Sequence, residues 1–414
     1  MFRSLKYRNF RLFFYGQFVS LCGSWVQQTA QAWLVYRLTR DPMMLGLAAF
    51  LGQFPVFLFG FYAGSIVDQG DHLRIVRRTQ ALAMGQAVVL AALAWGGWIQ
   101  VWHVFVLSFL GGVVNAFDMP ARQVLIGELV EVQDRHNAIA LNSTVVNASR
   151  IVGPAAAGLL IGWVGEAGCF ALNAASFVSV LWALALMRDL RQAARPPGKA
   201  VWEEIGDGLA YVLGHEPIRL ALFLLVVFSL AGLPIYVLLP VFAEDILHSG
   251  AKGLGVLSSA SGLGATVGAL MLARRASARG LGPIVMQGLV LFGLSLGGLA
   301  LSSRFWLSTV LMFLAGWSAI QVLAGINTLL QELSSDHYRG RVMSFYSMTF
   351  IGLSPVGSYA VGSLASRLGV SGTVLAEAAV CVIAGAAHFR RLPELLRRAG
   401  SPSPPASPAL PSPL

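Results

Sequence analysis

Apolar residues run along this chain in long stretches, and short clusters of charged and turn-forming residues separate one stretch from the next. A helix needs about 20 mostly apolar residues to cross the hydrocarbon core of a bilayer. The pattern predicts an all-α membrane protein with twelve transmembrane helices, near residues 10–35, 43–67, 75–99, 101–121, 138–164, 166–187, 218–243, 251–273, 281–302, 305–330, 342–366 and 370–389. The first stretch is too long and too polar for a cleavable signal peptide.

One long polar connection divides the predicted spans into two groups of six. We predict a six-helix bundle over 1–188, a cytoplasmic linker over 189–217, a second six-helix bundle over 218–392 and a disordered tail rich in Pro and Ser over 393–414. In the linker, apolar residues recur at helical spacing opposite acidic residues. That spacing predicts an amphipathic helix on the cytoplasmic membrane surface.

The composition indicates that lipid is the main solvent of this chain. Of its 414 residues, 56% are hydrophobic and 12% are charged, whereas a soluble domain has about 25% charged residues. This composition excludes a cytosolic enzyme, a secreted disulfide scaffold and a nucleic-acid-binding domain. The three cysteines lie inside apolar stretches and imply no disulfide framework.

The formal net charge of +10 reflects the orientation of the chain in the membrane. Lys and Arg concentrate in the cytoplasmic loops of membrane proteins, and most of the 29 such residues fall in connections on the side of the N-terminus. We therefore predict a multi-pass protein of the bacterial inner membrane with both termini in the cytoplasm. The positive charge then contacts anionic membrane lipid, and we expect no nucleic-acid partner.

The two predicted bundles resemble each other in sequence. When the chain is moved over itself by 204 residues, residues 122–165 align with 326–369 without a gap, and Arg135 falls on Arg339. Two six-helix halves in parallel repeat describe the major facilitator fold, in which the substrate site lies between the halves near the middle of the membrane.

Several stretches also resemble one branch of the major facilitator superfamily. They are residues 115–122 (NAFDMPAR), 137–142 (NAIALN), 147–154, 239–243 (LPVFA) and 331–343. In these motifs the chain is similar to the enterobactin-exporter-like branch, the transmembrane secretion effectors, from about residue 2 to residue 390. The resemblance implies the major facilitator fold and secondary transport. Members of this branch export different molecules, so the resemblance does not specify a substrate.

A loop between spans two and three resembles the cytoplasmic gate motif of the superfamily. It contains Gly64, Asp68 and Arg74, with Gln69 where an arginine is usual. The glycine allows close helix approach, and the carboxylate can bind a helix N-terminus or an arginine. We predict that this motif closes the cytoplasmic side, together with three arginines of other loops, Arg122, Arg339 and Arg341. The alternative is that Asp68 only caps the loop and that the arginines only set the topology.

Polar side chains form a stripe along one face of each of spans one and four. A polar stripe inside a bilayer must face water or another helix. We predict that these residues line a central path, with interhelical hydrogen bonding as the alternative. The predicted substrate and proton pathway consists of Gln17, Ser24, Gln27 and Gln31 in span one, Asn115 and Asp118 in span four, Asn147 and Arg150 in span five, and Gln321 in span ten.

Three charged residues inside the predicted spans have specific expected roles. An arginine inside the membrane needs a partner or water, so we expect Arg150 to face the cavity; the alternatives are that it reaches the cytoplasmic surface or neutralises Asp118. Asp118 is the best candidate for the carboxylate that exchanges protons, and an ion pair with Arg122 is its structural alternative. Glu377, in span twelve, is expected to pack or to reach the membrane surface rather than to couple protons.

Small residues predict sites of close helix contact. Gly153, Pro154 and Gly158 of span five resemble the antiporter motif of exporters in the superfamily, and Pro154 also removes a backbone donor and can bend the helix. Gly264 and Gly268 of span eight are predicted to pack against a neighbouring helix.

These observations predict a transporter and not an enzyme. The chain has no phosphate-binding loop for ATP, its seven histidines show no metal spacing, and we expect no cofactor. We predict export of a small amphipathic molecule, such as a siderophore, an antibiotic or a metabolite, by alternating access in exchange for protons. The alternatives are an importer of a small metabolite and a membrane sensor or scaffold that does not transport.

Overall fold

The computed structural model describes residues 3–187, 201–274, 280–389, 391, 392 and 394, and all regular structure in this part of the chain is helical. The α-helices are α1 (Arg8–Thr39), α2 (Pro42–Gln69), α3 (His72–Trp95), α4 (Val101–Glu128), α5 (Arg135–Ala185), α6 (Val201–Gly214), α7 (Glu216–Ala231), α8 (Ile235–Val241), α9 (Gly250–Ala273), α10 (Leu281–Leu301), α11 (Phe305–Leu333), α12 (Arg339–Leu368) and α13 (Val370–Ala387). Short 3-10 turns precede α1 and α5. The predicted tail, apart from Glu394, and residues 189–200 of the predicted linker lie outside the described residues.

The helices fit a chain that crosses a membrane many times. Among the described residues, nine segments are long and apolar enough to cross a bilayer. One of them, Val132–Ala185, has 54 residues and covers the predicted spans five and six, which meet at Gly165 with a φ of 68°. Helices α1 and α3, the predicted spans one and three, are not among the nine. The class of all-α membrane protein is confirmed, and the number of twelve crossings stays a prediction.

The helices form two bundles. In the first bundle α1 packs along α5, and α3 packs against α4 and α5. In the second bundle α11 packs against α9 and α10, and α10 packs against α13. Each bundle has its own buried aromatic and aliphatic residues, for example Phe10 and Phe170 in the first and Phe228 and Phe292 in the second. Because lipid is as apolar as these side chains, close packing and hydrogen bonds hold such helices together.

An equivalent pair of arginines ties successive helices together in the two bundles. Nε of Arg135 donates to the carbonyl of Gly127 near the end of α4 (3.1 Å), and Nε of Arg339 donates to the carbonyl of Gln331 near the end of α11 (3.0 Å). The two arginines are 204 residues apart, and so are the two acceptors. The same contact therefore recurs at the spacing of the predicted repeat.

The first spanning helix of the second bundle is interrupted between α7 and α8. Pro234 has no N–H to continue the hydrogen-bond ladder, and the N–H groups of Gly232 and Leu233 both donate to the carbonyl of Phe228. A π-helical segment, Phe242–Ile246, follows α8. Interrupted helices and π-helical segments are frequent at functional sites, and interrupted helices form the ion and substrate sites of many transporters.

The short helix α6 lies against the second bundle. Tyr211 stacks on Tyr338 with ring centres 4.2 Å apart, and its hydroxyl accepts a hydrogen bond from the N–H of Ser335 at 3.2 Å. Gly208 faces the side chain of Arg341. These contacts fix α6 to the connection between α11 and α12.

Candidate functional site

The two bundles meet along two pairs of helices, α2 with α12 and α5 with α9. We call the end at which α2 finishes and α5 and α12 begin the basic end, because its connections carry most of the arginines. The opposite end, where α2 begins and α12 finishes, is the far end. The positive-inside rule predicts that the basic end faces the cytoplasm.

Six residues close the far end between the bundles, and we call them the far-end gate: Tyr36, Arg40, Asp41, Glu244, Asp245 and Ser366. The Tyr36 hydroxyl donates to Asp245. The guanidinium of Arg40 lies 3.1 Å from Glu244 Oε1 and 3.2 Å from Asp245 Oδ1, and the hydrogen bond to Glu244 raises the pKa of Arg40. The Ser366 hydroxyl donates to Asp41. Because the first three residues belong to one bundle and the last three to the other, the gate joins the two halves directly.

Glycines bring the helix backbones of the two bundles into contact beside this gate. A Cβ added to Gly46 of α2 would lie 2.5 Å from the carbonyl of Ser358 on α12. A Cβ added to Gly158 of α5 would lie 2.9 Å from the carbonyl of Ala251 and 3.0 Å from the Cα of Gly255 on α9. No side chain larger than hydrogen fits at these positions without movement of the backbone.

Toward the basic end the same helices separate. Gly60 and Gly64 continue the face of α2 that carries Gly46 and Phe57. The ring of Phe57 still contacts Gly352 of α12, but a Cβ added to Gly60 or Gly64 would meet nothing within 4 Å. The close helix approach that we expected at Gly64 is therefore absent here. Between the described parts of the two bundles, the cleft is closed at the far end and open toward the basic end.

The arginines of the predicted cytoplasmic gate have partners near them in the chain or in the linker. The ion pairs are Arg74 with Asp71, Arg122 with Asp118, Arg339 with Asp336 and Arg341 with Asp207. None of these four pairs joins the two bundles. Asp68 is exposed near the end of α2. A latch at the basic end can form only in the state in which that end is closed. The basic end is open here, so the latch stays a prediction.

Hydrogen bonds within the first bundle occupy two amides of the predicted stripe on α1. Nε2 of Gln27 donates to Gln86 of α3 (2.9 Å), and its Oε1 accepts from Asn173 of α5 (2.8 Å). Nε2 of Gln31 donates to the hydroxyl of Ser108 on α4 (2.6 Å). For Gln27 and Gln31 the structure favours interhelical hydrogen bonding, the alternative to a place on the path.

Two further amides of the predicted pathway are buried, and each has an unsatisfied oxygen. Gln17 and Gln321 are 2% and 4% exposed, and the Oε1 atom of each has no partner among the described residues. Nε2 of Gln321 reaches the carbonyl of Gly268 at 3.4 Å. The hydroxyl of Ser24 donates to the carbonyl of Ser20 on its own helix. The burial of Gln17 and Gln321 places them in helix packing rather than in the open cleft.

Asp118 is the centre of a buried network inside the first bundle. The residue is 4% exposed. Its Oδ1 accepts from Thr79 (2.6 Å) and Gln80 (2.8 Å) of α3, and its Oδ2 forms an ion pair with Arg122 on the next turn of α4. This geometry corresponds to the structural alternative for Asp118 and gives no support to its role as the proton-exchanging carboxylate.

Arg150 lies where the two bundles meet. Its guanidinium carbon is 5.9 Å from the ring centre of Trp25 on α1, a cation–π distance. Its carbonyl lies 3.0 Å from the position of a Cβ added to Gly262 of α9. Arg150 and Asn147, one turn closer to the basic end, are partly exposed, and Asn115 on α4 is exposed. Ser24 and Gln31 on α1 are also partly exposed, so these five residues are the accessible members of the predicted pathway.

The predicted packing residues all lie at close contacts between helices. The contacts are Gly153 with Trp25 of α1, Gly158 with Ala251 of α9, Pro154 through its carbonyl with Gly255 of α9, and Gly264 and Gly268 with Phe313 and Trp317 of α11. Pro154 is buried inside α5, which continues through it. The glycines of α5 and α9 thus bring α5 close to α1, α5 close to α9, and α9 close to α11.

Two features of the cleft were not predicted from the sequence. One is the far-end gate. Its Arg40 is a signal in the sequence, because it is a positive charge on the side of the membrane where the positive-inside rule predicts few. The other is an aromatic row on α2, in which the ring of Phe54 lies 4.7 Å from Phe50 and 6.2 Å from Phe57. Phe50 also lies 6.1 Å from Tyr359 of α12. The row gives the seam between the bundles an aromatic wall.

A charged cluster fixes the N-terminal turn at the basic end. Lys6 Nζ lies 2.8 Å and Arg3 Nε 3.4 Å from the carboxylate of Asp134, and the Tyr7 hydroxyl donates to the same group at 2.9 Å. The hydrogen bond from Lys6 and then that from Tyr7 lower the pKa of Asp134. Burial of this residue, which is 1% exposed, acts in the opposite direction and is outweighed. The cluster holds the start of α1 against the start of α5.

Curated relatives align with almost the whole chain, and one family model matches residues 1–410 and is described as transmembrane secretion effector. The relatives include macrolide efflux protein A of Streptococcus pyogenes (26% identical; 88% of this chain and 92% of that protein) and the staphyloferrin A transporter of Staphylococcus aureus (22%; 90% and 94%). A third is the multidrug efflux pump Tap of Mycolicibacterium fortuitum (25%; 90% and 93%).

Solved transporters have the same fold. A bacterial homologue of the human lysosomal transporter Spinster, in an inward-facing and occupied conformation, superposes with a TM-score of 0.75 at 13% identity and covers 96% of this chain and 99% of that one. A bacterial homologue of the iron transporter ferroportin, in an inward-facing state, gives a TM-score of 0.70 at 16% identity, with 93% and 98% covered. At these identities the likeness establishes the fold alone.

Proposed function

Because the chain belongs to the transmembrane secretion effector family of the major facilitator superfamily, a group of bacterial plasma-membrane transporters, we propose that it exports a small amphipathic molecule by alternating access in exchange for protons. The observation that carries the proposal is the asymmetric cleft. The far-end gate joins the halves at one end, whereas α2 and α12 separate toward the other. With both termini in the cytoplasm, this is the state that takes up substrate from inside the cell.

The contacts at the far end are of a kind that can break and re-form. The ion pairs of Arg40 involve side chains that are about half exposed, and exposed ion pairs contribute only about 0.2–1 kcal/mol each. Substrate binding can offset the loss of ion pairs of that size. The backbone contacts at Gly46 and Gly158 lie beside the gate and allow the bundles to rock against each other without side chains in the way.

The lining of the cleft favours a neutral or anionic amphipathic substrate. The Arg150 guanidinium supplies a positive charge beside the ring of Trp25, and the aromatic row on α2 supplies apolar surface. The relatives named above are described as a macrolide efflux protein, a staphyloferrin A transporter and a multidrug efflux pump. Those descriptions support export of small molecules. Protons as the counter-ion, membrane lipid as the surroundings and the absence of ATP are part of the proposal.

Transport into membrane vesicles of known orientation tests the proposal. Inside-out vesicles from cells that produce the protein would be energised by respiration and offered an uncharged macrolide or staphyloferrin A. We expect accumulation of at least one probe, its loss when a protonophore removes the proton gradient, and no accumulation in vesicles without the protein. Uptake into right-side-out vesicles, with none into inside-out vesicles, would instead establish an importer.

Two variants of Arg150 test its part in substrate recognition. We expect Arg150→Ala to abolish accumulation of staphyloferrin A and Arg150→Lys to retain part of it, because lysine keeps the charge but not the planar group. Equal accumulation by both variants and the wild type would remove Arg150 from the site.

A further inference from the structure

A carboxyl group outside the proposed pathway lies buried in the second bundle. Glu377, on α13, is 4% exposed, and neither of its carboxylate oxygens has a hydrogen-bond partner among the described residues. From the sequence we expected this side chain to pack or to reach the membrane surface. Its burial rules out the membrane surface. An ionisable side chain without a partner inside a membrane protein is rare and usually functional.

The interrupted helix of the second bundle lies beside Glu377. Sγ of Cys381, one turn along α13, is 3.8 Å from the carbonyl of Ala231, where α7 ends. Because α13 runs toward the basic end and α7 toward the far end, Glu377 lies on the far-end side of Ala231, about one helical turn away, where α7 gives way to α8. In the last turn of α7, Ser229 is fully buried and its hydroxyl also has no partner among the described residues.

No charged group in the described structure compensates a carboxylate at this position. α10, which packs against α13, has no charged residue. On the other neighbours the charged residues lie at the helix ends: Glu216 and Arg219 in the first turns of α7, Arg339 and Arg341 at the start of α12 and Arg367 at its end. The side chain of Tyr236 on α8 is bonded to Ser261. An uncompensated carboxylate is strongly unfavourable in such surroundings, and a group of this kind takes up a proton and becomes neutral instead.

The chemistry of the position favours a proton over a metal cation. Hard cations take about six or more oxygen ligands, with carboxylates among them. Among the described residues, α7, α10 and α12 carry no second carboxylate away from their ends that could share a cation with Glu377. A proton needs only one oxygen.

We propose that Glu377 is the proton-binding site of this transporter and that the interruption between α7 and α8 gives it access to water during the cycle. When the far end is open, a proton from outside bonds to one carboxylate oxygen of Glu377. The carboxyl carries this proton into the state seen here, and substrate binding releases it toward the basic end. The proposal rests on proton-coupled export, and it moves the coupling carboxyl from Asp118, which is paired with Arg122, to the opposite bundle.

Infrared spectroscopy of the purified protein tests the site without any substrate. A protonated carboxyl group has a C=O stretching band distinct from that of a carboxylate. We expect the wild-type protein to show such a band, Glu377→Gln to lack it and Glu377→Asp to show it at a shifted frequency. A band that persists in Glu377→Gln, or that is unshifted in Glu377→Asp, would overturn the proposal. The aspartate variant decides the question if the glutamine variant does not fold.

Transport by reconstituted vesicles tests the coupling, with an uncharged macrolide and staphyloferrin A as the probes. We expect Glu377→Gln to lose accumulation driven by a proton gradient but to keep exchange of labelled for unlabelled probe without a gradient, since exchange needs no proton release. Glu166→Gln, which removes a carboxylate that pairs with Arg37 within the first bundle, should keep both activities. Gradient-driven accumulation by Glu377→Gln at the wild-type level would refute the site. If the wild type accumulates nothing, the proposed function fails, and the infrared result still decides whether Glu377 binds a proton.

Discussion

Removal of one charge from the far-end gate should open the far end. Arg40→Gln removes two ion pairs, with Glu244 and with Asp245, that connect the bundles. Arg37, on the preceding turn of the same helix, pairs with Glu166 of its own bundle at 2.7 Å. Arg37→Gln therefore removes a similar ion pair without a change to the gate and serves as a matched control.

The size of the effect follows from the exposure of the gate. The side chains of Arg40, Glu244 and Asp245 are 55%, 30% and 47% exposed, so each ion pair contributes about 0.2–1 kcal/mol. Loss of both pairs destabilises the closed state by about 0.4–2 kcal/mol. Because 1.4 kcal/mol is a factor of ten, the ratio of open to closed molecules should rise by about twofold to about 25-fold.

Distances between spin labels report this ratio. Trp98 and Trp306 are 73% and 75% exposed and lie at the far end of the first and second bundle, so cysteines there can carry labels once the three native cysteines are replaced. We expect a longer distance to gain population in Arg40→Gln and not in Arg37→Gln. High salt should produce a smaller shift of the same kind in the wild type, since it screens exposed ion pairs.

Two results would refute this reasoning. An unchanged distance distribution in Arg40→Gln would show that the ion pairs do not hold the far end closed. Equal shifts in Arg40→Gln and Arg37→Gln would show that the loss of any positive charge at this end has the effect, whether or not its partner is across the cleft.

Three further predictions concern helix contact, the buried network and the N-terminal cluster. Gly158→Leu should lower both the melting temperature and transport, whereas Gly162→Leu should leave both near wild type, because a Cβ at 158 lies 2.9 Å from a carbonyl of α9 and one at 162 meets nothing within 4 Å. Asp118→Asn should lower the melting temperature; loss of one partner from a fully buried ion pair costs about 3–5 kcal/mol, and the cost is smaller here because Arg122 is 19% exposed. The fold lowers the pKa of Asp134 from its ordinary value of 3.8, so the charged carboxylate stabilises the folded state at pH values above 3.8. This stabilisation is lost as the pH falls through the lowered pKa. Asp134→Asn should therefore melt below the wild type at pH 7, and the difference should shrink in acid.

Each of these predictions has a result that contradicts it. Equal melting of the two glycine variants would mean that the helices do not touch at Gly158. An Asp118→Asn protein as stable as the wild type would place Asp118 outside the ion pair. A melting difference for Asp134→Asn that stays constant into acid would show that the charge of this carboxylate does not stabilise the fold.

The fold could be predicted from the sequence because it follows from periodic and repeated features. Long apolar stretches determine helices in a membrane, and the repeat aligned Arg135 with Arg339, which make the same contact in both bundles. The packing role of Gly158 followed from its small size. These properties depend on residues close together in the chain or on an internal copy of the sequence.

The site was harder to predict because it depends on which neighbours a polar residue meets. A polar stripe on α1 fits a water-filled path and a row of interhelical hydrogen bonds equally well, and only the structure shows that Gln27 bonds to α3 and α5. Arg40 and Asp245 are far apart in the chain, so no local pattern links them. Gly64 has no helix against it because that contact depends on the conformation, which the sequence does not specify.

The central claim is that transport requires the far end to open and close. Cysteines in place of Asp41 and Ser366, whose side chains are hydrogen bonded across the two bundles, can be joined by a reducible cross-linker in protein that lacks the native cysteines. Cysteines in place of Arg37 and Glu166, within one bundle, provide the control. We predict that the cross-link between the bundles stops export, that reduction restores it, and that the control cross-link has no effect. Export at the full rate with the bundles cross-linked at the far end would contradict the claim.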